Sequence, residues 1–130
     1  MTKTKKQKIG NWGEEQASLF LLREGYEILE KNYFARGGEI DIIALDKNSE
    51  TKTICFVEVK TRKKDDGSAE RALSSAKAKK LKIVAKDYFC KNELNPDDFW
   101  IRFELLSVYY DNSEQGLEIK KYIIPSWMFA

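Results

Sequence analysis

The chain has 130 residues, 42% of them hydrophobic, which is enough for one domain around one core. Its 23 Lys and Arg stand against 21 Asp and Glu for a net charge of +2, which excludes a uniformly cationic coat but allows a local basic face. There is no histidine and there are two cysteines, so histidine-ligated zinc, histidine acid–base catalysis and Ser-His or Cys-His dyads are excluded.

Residues 1–9 carry Lys3, Lys5, Lys6 and Lys8 and are expected to form a basic, flexible lead into a single domain spanning 1–130. The segment lacks the apolar stretch of a signal peptide, and no run is long enough to span a membrane. A reducing cytoplasm and no membrane partner are therefore expected. Gly10-Asn11-Trp12-Gly13-Glu14-Glu15 leads into a predicted helix running to about Arg23 and ended by Gly25. Ala17, Phe20, Leu21 and Glu24 recur at helical spacing, and Leu19 and Leu22 widen the stripe, which predicts packing on most sides of the helix. Tyr26 to Tyr33 reads as a strand. After Gly37-Gly38, Glu39 to Leu45 reads as a second, and Ile54 to Thr61, rich in β-branched residues, as a third. Cys55 within that strand is read as a small buried thiol.

Asp65-Asp66-Gly67 breaks the pattern, and one long helix is predicted from about Ala69 to Cys90, with Leu73, Ala76, Leu81, Val84 and Tyr88 as its apolar face. A loop containing Pro96 follows, then strands at Phe99–Tyr110 and Leu117–Ile124. The order α-β-β-β-α-β-β describes a mixed α/β fold, a β-sheet flanked by helices. Charge is segregated along it. Cations gather at Lys60–Lys64 and on the long helix at Lys77, Lys79, Lys80, Lys82 and Lys86, whereas Asp97, Asp98, Asp111, Glu114 and Glu118 load the C-terminal third with acid.

Side chains alternate across a strand, so Phe56, Glu58 and Lys60 share one face and Cys55, Val57 and Val59 the other. In the preceding strand Glu39, Asp41, Ile43 and Leu45 lie opposite Ile40, Ile42 and Ala44, and a hairpin of matching register would set Asp41 beside Glu58. Acids in strands otherwise made of Ile, Val and Phe cost free energy unless a cation or donors compensate them. A divalent ion would do so: magnesium prefers oxygen ligands and is held by one or two carboxylates and water. Such an ion polarises a phosphodiester oxygen, while Lys60 orients water or neutralises charge on phosphorus. The same three residues would equally make a surface hairpin with a cross-strand salt bridge, and Glu-x-Lys alone is a weak signal.

Four blocks taken together are more specific. Gly10-x-x-Gly13-Glu14-x-x-Ala17, Gly25-Tyr26-x-Ile28-Leu29-x-x-Asn32-Tyr33, Gly38-Glu39-Ile40-Asp41-Ile42-Ile43 and Phe56-Val57-Glu58-Val59-Lys60-Thr61-Arg62 resemble the YraN-like bacterial proteins, with likeness continuing through Lys77, Leu81 and Arg102-Phe103. Those proteins are grouped in the PD-(D/E)XK nuclease superfamily, similar to archaeal Holliday-junction resolvases. The resemblance implies a restriction-endonuclease-like core with Asp41, Glu58 and Lys60 in catalytic positions and Glu14 as a further ligand of Mg²⁺ or Mn²⁺. It implies endonuclease action on DNA rather than RNA, on branched or junction structures, and it leaves a homodimer open. Glu14 also fits as an ordinary acid of a first helical turn. This chain has Arg102-Phe103-Glu104 where the family commonly has Arg-Phe-Asp.

Arg62, Lys63 and Lys64 would flank a scissile phosphate, and Lys77 with the N-terminal lysines would extend the track. Trp12, Trp100 and Trp127 read more naturally as core or interface anchors than as base-stacking platforms. The competing functions are a nucleic-acid-binding module that keeps the fold without catalysis and a protein-interaction scaffold.

Overall fold

The computed structural model describes residues 2–48, 50–63, 66–111, 116–125 and 128. The expectations for Lys64, Trp127, Asp65 and Glu114 lie outside these. The elements are α1 (Lys5–Arg23), β1 (Tyr26–Ala35), β2 (Gly38–Asp46), β3 (Thr53–Arg62), α2 (Ser68–Arg71), α3 (Ser75–Lys91), a 3₁₀ turn (Pro96–Asp98), β4 (Trp100–Tyr110) and β5 (Leu117–Ile123). The strands form one five-stranded sheet in sequence order, β1-β2-β3-β4-β5. Every pairing is antiparallel except β3 with β4, which run parallel and so need the α2–α3 crossover between them.

Each face of the sheet carries its own core. Ala17 and Leu21 of α1 pack on Tyr26, Ile42, Ala44, Cys55, Val57, Val59, Leu106 and Val108. On the other face Leu81, Val84, Ala85, Tyr88 and Phe89 of α3 pack on Ile43, Ile54 and Phe56. Strand β3 contributes to both, as expected for a strand buried on both faces, and Cys55 is fully enclosed within the α1-side core.

Three details differ from the sequence expectation. First, α1 starts at Lys5, inside the basic segment, because Thr4 accepts from the Gln7 N–H while the Gln7 side chain accepts from the Thr4 N–H. The helix meets the sheet along one stripe only, so Leu19 and Leu22 stay 43% and 53% exposed instead of packing. Second, the long helix is two. It breaks at Ala72–Ser74, Ser74 caps α3 by accepting from the Lys77 N–H, and the phase change exposes Ala76 and buries Ala78. Third, alternation along β2 fails at Asp41: Ile40 joins the same core as Ile43, whereas Ile42 joins the opposite one. On β1, Lys31 pairs with Ile42 and Tyr33 with Ile40, and Asn32 between them takes φ 51, a left-handed conformation that re-aims the neighbouring side chains.

The far end of the sheet holds a buried polar group. Arg102 pairs with Asp46 at 2.5 Å and donates to Tyr26 Oη at 2.8 Å, and Tyr26 in turn donates to Glu104, which is fully buried. Lys121 donates to the same Tyr26 oxygen. Glu104 thus belongs to a structural network built around β1, β2, β4 and β5.

Candidate active site

The β2–β3 hairpin pairs from Asp46↔Thr53 to Ile42↔Val57, and there the ladder stops. Asp41 and Glu58, the next residues on each strand, sit where the strands part. The Asp41 side chain takes over the lost backbone partner: its Oδ2 accepts from the Val59 N–H at 2.7 Å. Asp41 is half-buried and Glu58 buried, so both acids are drawn into the sheet at its splayed end.

Glu14 arrives from α1 on the other side. Gly13 brings the helix down onto β3, and a Cβ placed there would lie 1.9 Å from Thr61 Oγ1. The next residue, Glu14, reaches toward the fork, close enough for its carboxylate to act on the Asp41 carboxyl. Burial, the charge of Glu58 and the proximity of Glu14 push Asp41 up to about 7, against the lowering effect of the Val59 N–H.

Two lysines face the acids. Glu58 Oε1 lies 2.7 Å from Lys77 Nζ and 3.3 Å from Lys60 Nζ. Burial, helped by the neighbouring Lys77, lowers the Lys60 ammonium despite the opposing pull of Glu58. Burial also pulls Lys77 down, but its close contact with Glu58 and the charges of Glu58 and Asp41 outweigh this, and its net shift is upward. Lys77, read from the sequence as one more cation of a DNA track, is thus a member of the acidic site. The Ser74 cap that sets its position was visible in the sequence, but the docking of α3 over Glu58 depends on contacts between distant segments.

These groups line a cleft of about 740 Å³ that also includes Glu39, Ser74 and Lys80. Through Val59 and Lys60 it continues into a second cleft of about 740 Å³, bordered by Glu14, Arg62, Lys63, Lys5 and Lys6. Arg62 and Lys63 thus share the second cleft with Glu14, and Lys5 and Lys6 join them because α1 extends back to Lys5. Glu39 is exposed at the cleft wall.

Among the described residues no three of Asp, Glu and Cys converge closely enough to hold an ion as they stand, since Glu58 is turned toward the lysines. The donor chemistry nonetheless fits a hard divalent cation. Asp41, Glu14 and Glu58 supply oxygen only, and the upward shift of Asp41, caused by burial and by the charge of Glu58, is one that a cation would relieve.

The model of the uncharacterised protein family UPF0102 matches residues 13–108, a span that contains Glu14, Asp41, Glu58, Lys60 and Lys77. Similar proteins include a UPF0102 protein of Acetivibrio thermocellus, 38% identical over 121 residues, covering 92% of this chain and 88% of that one. Another, from Caldicellulosiruptor bescii, is 40% identical over 112 residues, 85% of this chain and 90% of its own. A third, from Caldanaerobacter subterraneus subsp. tengcongensis, is 37% identical over 128 residues, covering 98% of this chain and 100% of the relative. The chain belongs to the UPF0102 family, the YraN-like proteins.

Proposed function

We propose that this protein is a Mg²⁺- or Mn²⁺-dependent endonuclease that hydrolyses phosphodiester bonds in DNA, on a restriction-endonuclease-like PD-(D/E)XK core. The observation that carries the proposal is the Asp41 carboxyl, half-buried where two strands part and pushed up to about 7 by burial and by the charge of Glu58, with Lys60 against Glu58. A carboxyl displaced this far by burial and neighbouring charge, and set in a cleft, marks a candidate functional site. Asp41, Glu58 and Glu14 would hold the ion, which when bound supplies positive charge to the phosphoryl oxygens.

The remaining work falls to the chain's own groups. The Val59 N–H fixes the Asp41 carboxylate, so its orientation is set before any ligand arrives. Lys60, lowered by burial, is close enough to Glu58 to be aimed and basic enough to donate to a developing phosphoryl charge. Arg62 and Lys63 hold the adjoining phosphates without reading sequence. The preference for DNA over RNA and for branched DNA and a homodimeric assembly are proposed from the YraN-like resemblance alone, and a cytoplasmic setting from the cysteine usage. Among the described residues no helix is long and apolar enough to cross a membrane.

Linear, flap and junction DNA should be cut by the wild-type chain in Mn²⁺, and Asp41→Ala should lower the rate by at least about a hundredfold. Cleavage that persists undiminished in Asp41→Ala would remove Asp41 from the chemistry. A second reading, a binding module without catalysis, draws support from the two lysines that already compensate Glu58. It predicts no heat on titration with Mn²⁺ but retained, salt-sensitive DNA binding.

A further inference from the structure

Beyond the second cleft lies a third pocket that neither the acids nor the core explains. Trp12 leaves the buried Gly13–Ala17–Leu21 stripe of α1 and meets Tyr110, the last residue of β4, edge to face with ring centroids 5.8 Å apart and planes at 75°. Trp12 remains 37% exposed. Together with Ile9 and Leu117 the two rings wall a pocket of about 480 Å³, with Lys5 and Lys8 at its rim. Asp111 also borders it, with its carboxyl packed against Gly116. A tryptophan that only anchored α1 on β4 would fill the space beside it; this one borders an open cavity.

The pocket is continuous with the proposed phosphodiester site. Lys5, Ile9 and Tyr110 line both it and the cleft of Arg62 and Lys63, and Lys60 lines both that cleft and the cleft of Asp41 and Glu58. A polyanion leaving the acids would pass cations and end against the half-exposed Trp12 ring, which Tyr110 braces edge to face. Lysines alone would suit any phosphate backbone, but aromatic faces offer nothing to a base already stacked inside a duplex. An unpaired base has a free π-face, and aromatic platforms flanked by cations are how single strands are held without sequence preference.

We propose that the Trp12–Tyr110 pocket binds the base of an unpaired nucleotide, so that the preferred ligand is a single strand, or the single-stranded part of a branched duplex, rather than smooth double helix. This rests on the nuclease reading for the direction of the track, but not for the binding itself. The test is fluorescence anisotropy of the full chain, without metal, on a labelled oligothymidine and on an abasic sugar–phosphate strand of equal length and charge. The thymidine strand should bind roughly five- to a hundredfold more tightly. Trp12→Ala should erase that difference while leaving abasic binding unchanged, and Trp12→Phe should keep most of it, which separates a stacking role from a folding defect. Equal affinity for the two strands in the wild type, or a difference that survives in a folded Trp12→Ala chain, would overturn the proposal. Because no cleavage is scored, an inactive Asp41 site would leave this outcome untouched.

Discussion

Asp41 is the residue on which the electrostatics turn. Its folded value of about 7 lies above the model-compound value of 3.8, so between these two pH values the folded chain holds a proton that the unfolded chain has lost. The metal-free protein therefore loses stability from this group as pH rises from about 4 to about 7, and the loss is complete above that. Asp41→Asn keeps an acceptor for the Val59 N–H and removes the charge. At about pH 8 it should unfold at a higher temperature than the wild type, by on the order of 2 kcal/mol after discounting for partial exposure. A lower unfolding temperature there would show that the ionised form is already compensated. Lys77 bears on the same balance from the other side. Its 2.7 Å contact must be given up, at least in part, if Glu58 turns to an ion, and its charge repels that ion. Lys77→Met should consequently bind Mn²⁺ about three- to tenfold more tightly by calorimetry. Weaker binding would mean that Lys77 holds Glu58 ready for the ion rather than against it.

At the scale of elements, the site depends on how closely α1 approaches β3. A methyl group on Gly13 has no room against Thr61, whose Oγ1 would lie at 1.9 Å and Cβ at 2.9 Å. Gly13→Ala should cost about 1–3 kcal/mol in thermal unfolding and lower Mn²⁺ affinity by moving Glu14. Adding Thr61→Ala, which removes the nearer atom, should recover part of both. Strands were the most legible elements: β-branched runs bounded by glycines marked β1 to β5 to within two residues or so at each end. The break at Ser74 was hidden because apolar spacing continues through it, although the Ser at the cap was in plain view. The start of α1 was hidden by its lysines, although Thr4 and Gln7 are a capping pair. The hairpin partners Asp41 and Glu58 could be matched by alternation on β3, but not on β2, where the phase changes at Asp41. The contacts of Lys77 with Glu58 and of Trp12 with Tyr110 were not legible because they arise from packing between segments remote in the chain.

At the scale of the molecule, a net charge of +2 conceals a directional arrangement, with cations bordering three connected clefts. Binding should follow the logarithm of salt concentration, and Arg62→Ala together with Lys63→Ala should flatten the slope for duplex DNA by roughly 1.5–2. The loss should be similar for unrelated sequences, measured by titration across ionic strengths, because phosphate contacts carry no base information. The sheet also imposes an order in time. Strands β2 and β3 join through a short antiparallel connection, whereas β3 and β4 join in parallel only after α2 and α3 have crossed over. Closing the first loop costs less chain entropy than closing the second. During vectorial synthesis the hairpin bearing Asp41 and Glu58 can close while Lys77 and β4 are still inside the ribosome. For that interval Asp41 and Glu58 are brought together before Lys77 is there to close over Glu58, so the acids are open to solvent cations earlier in synthesis than in the finished fold.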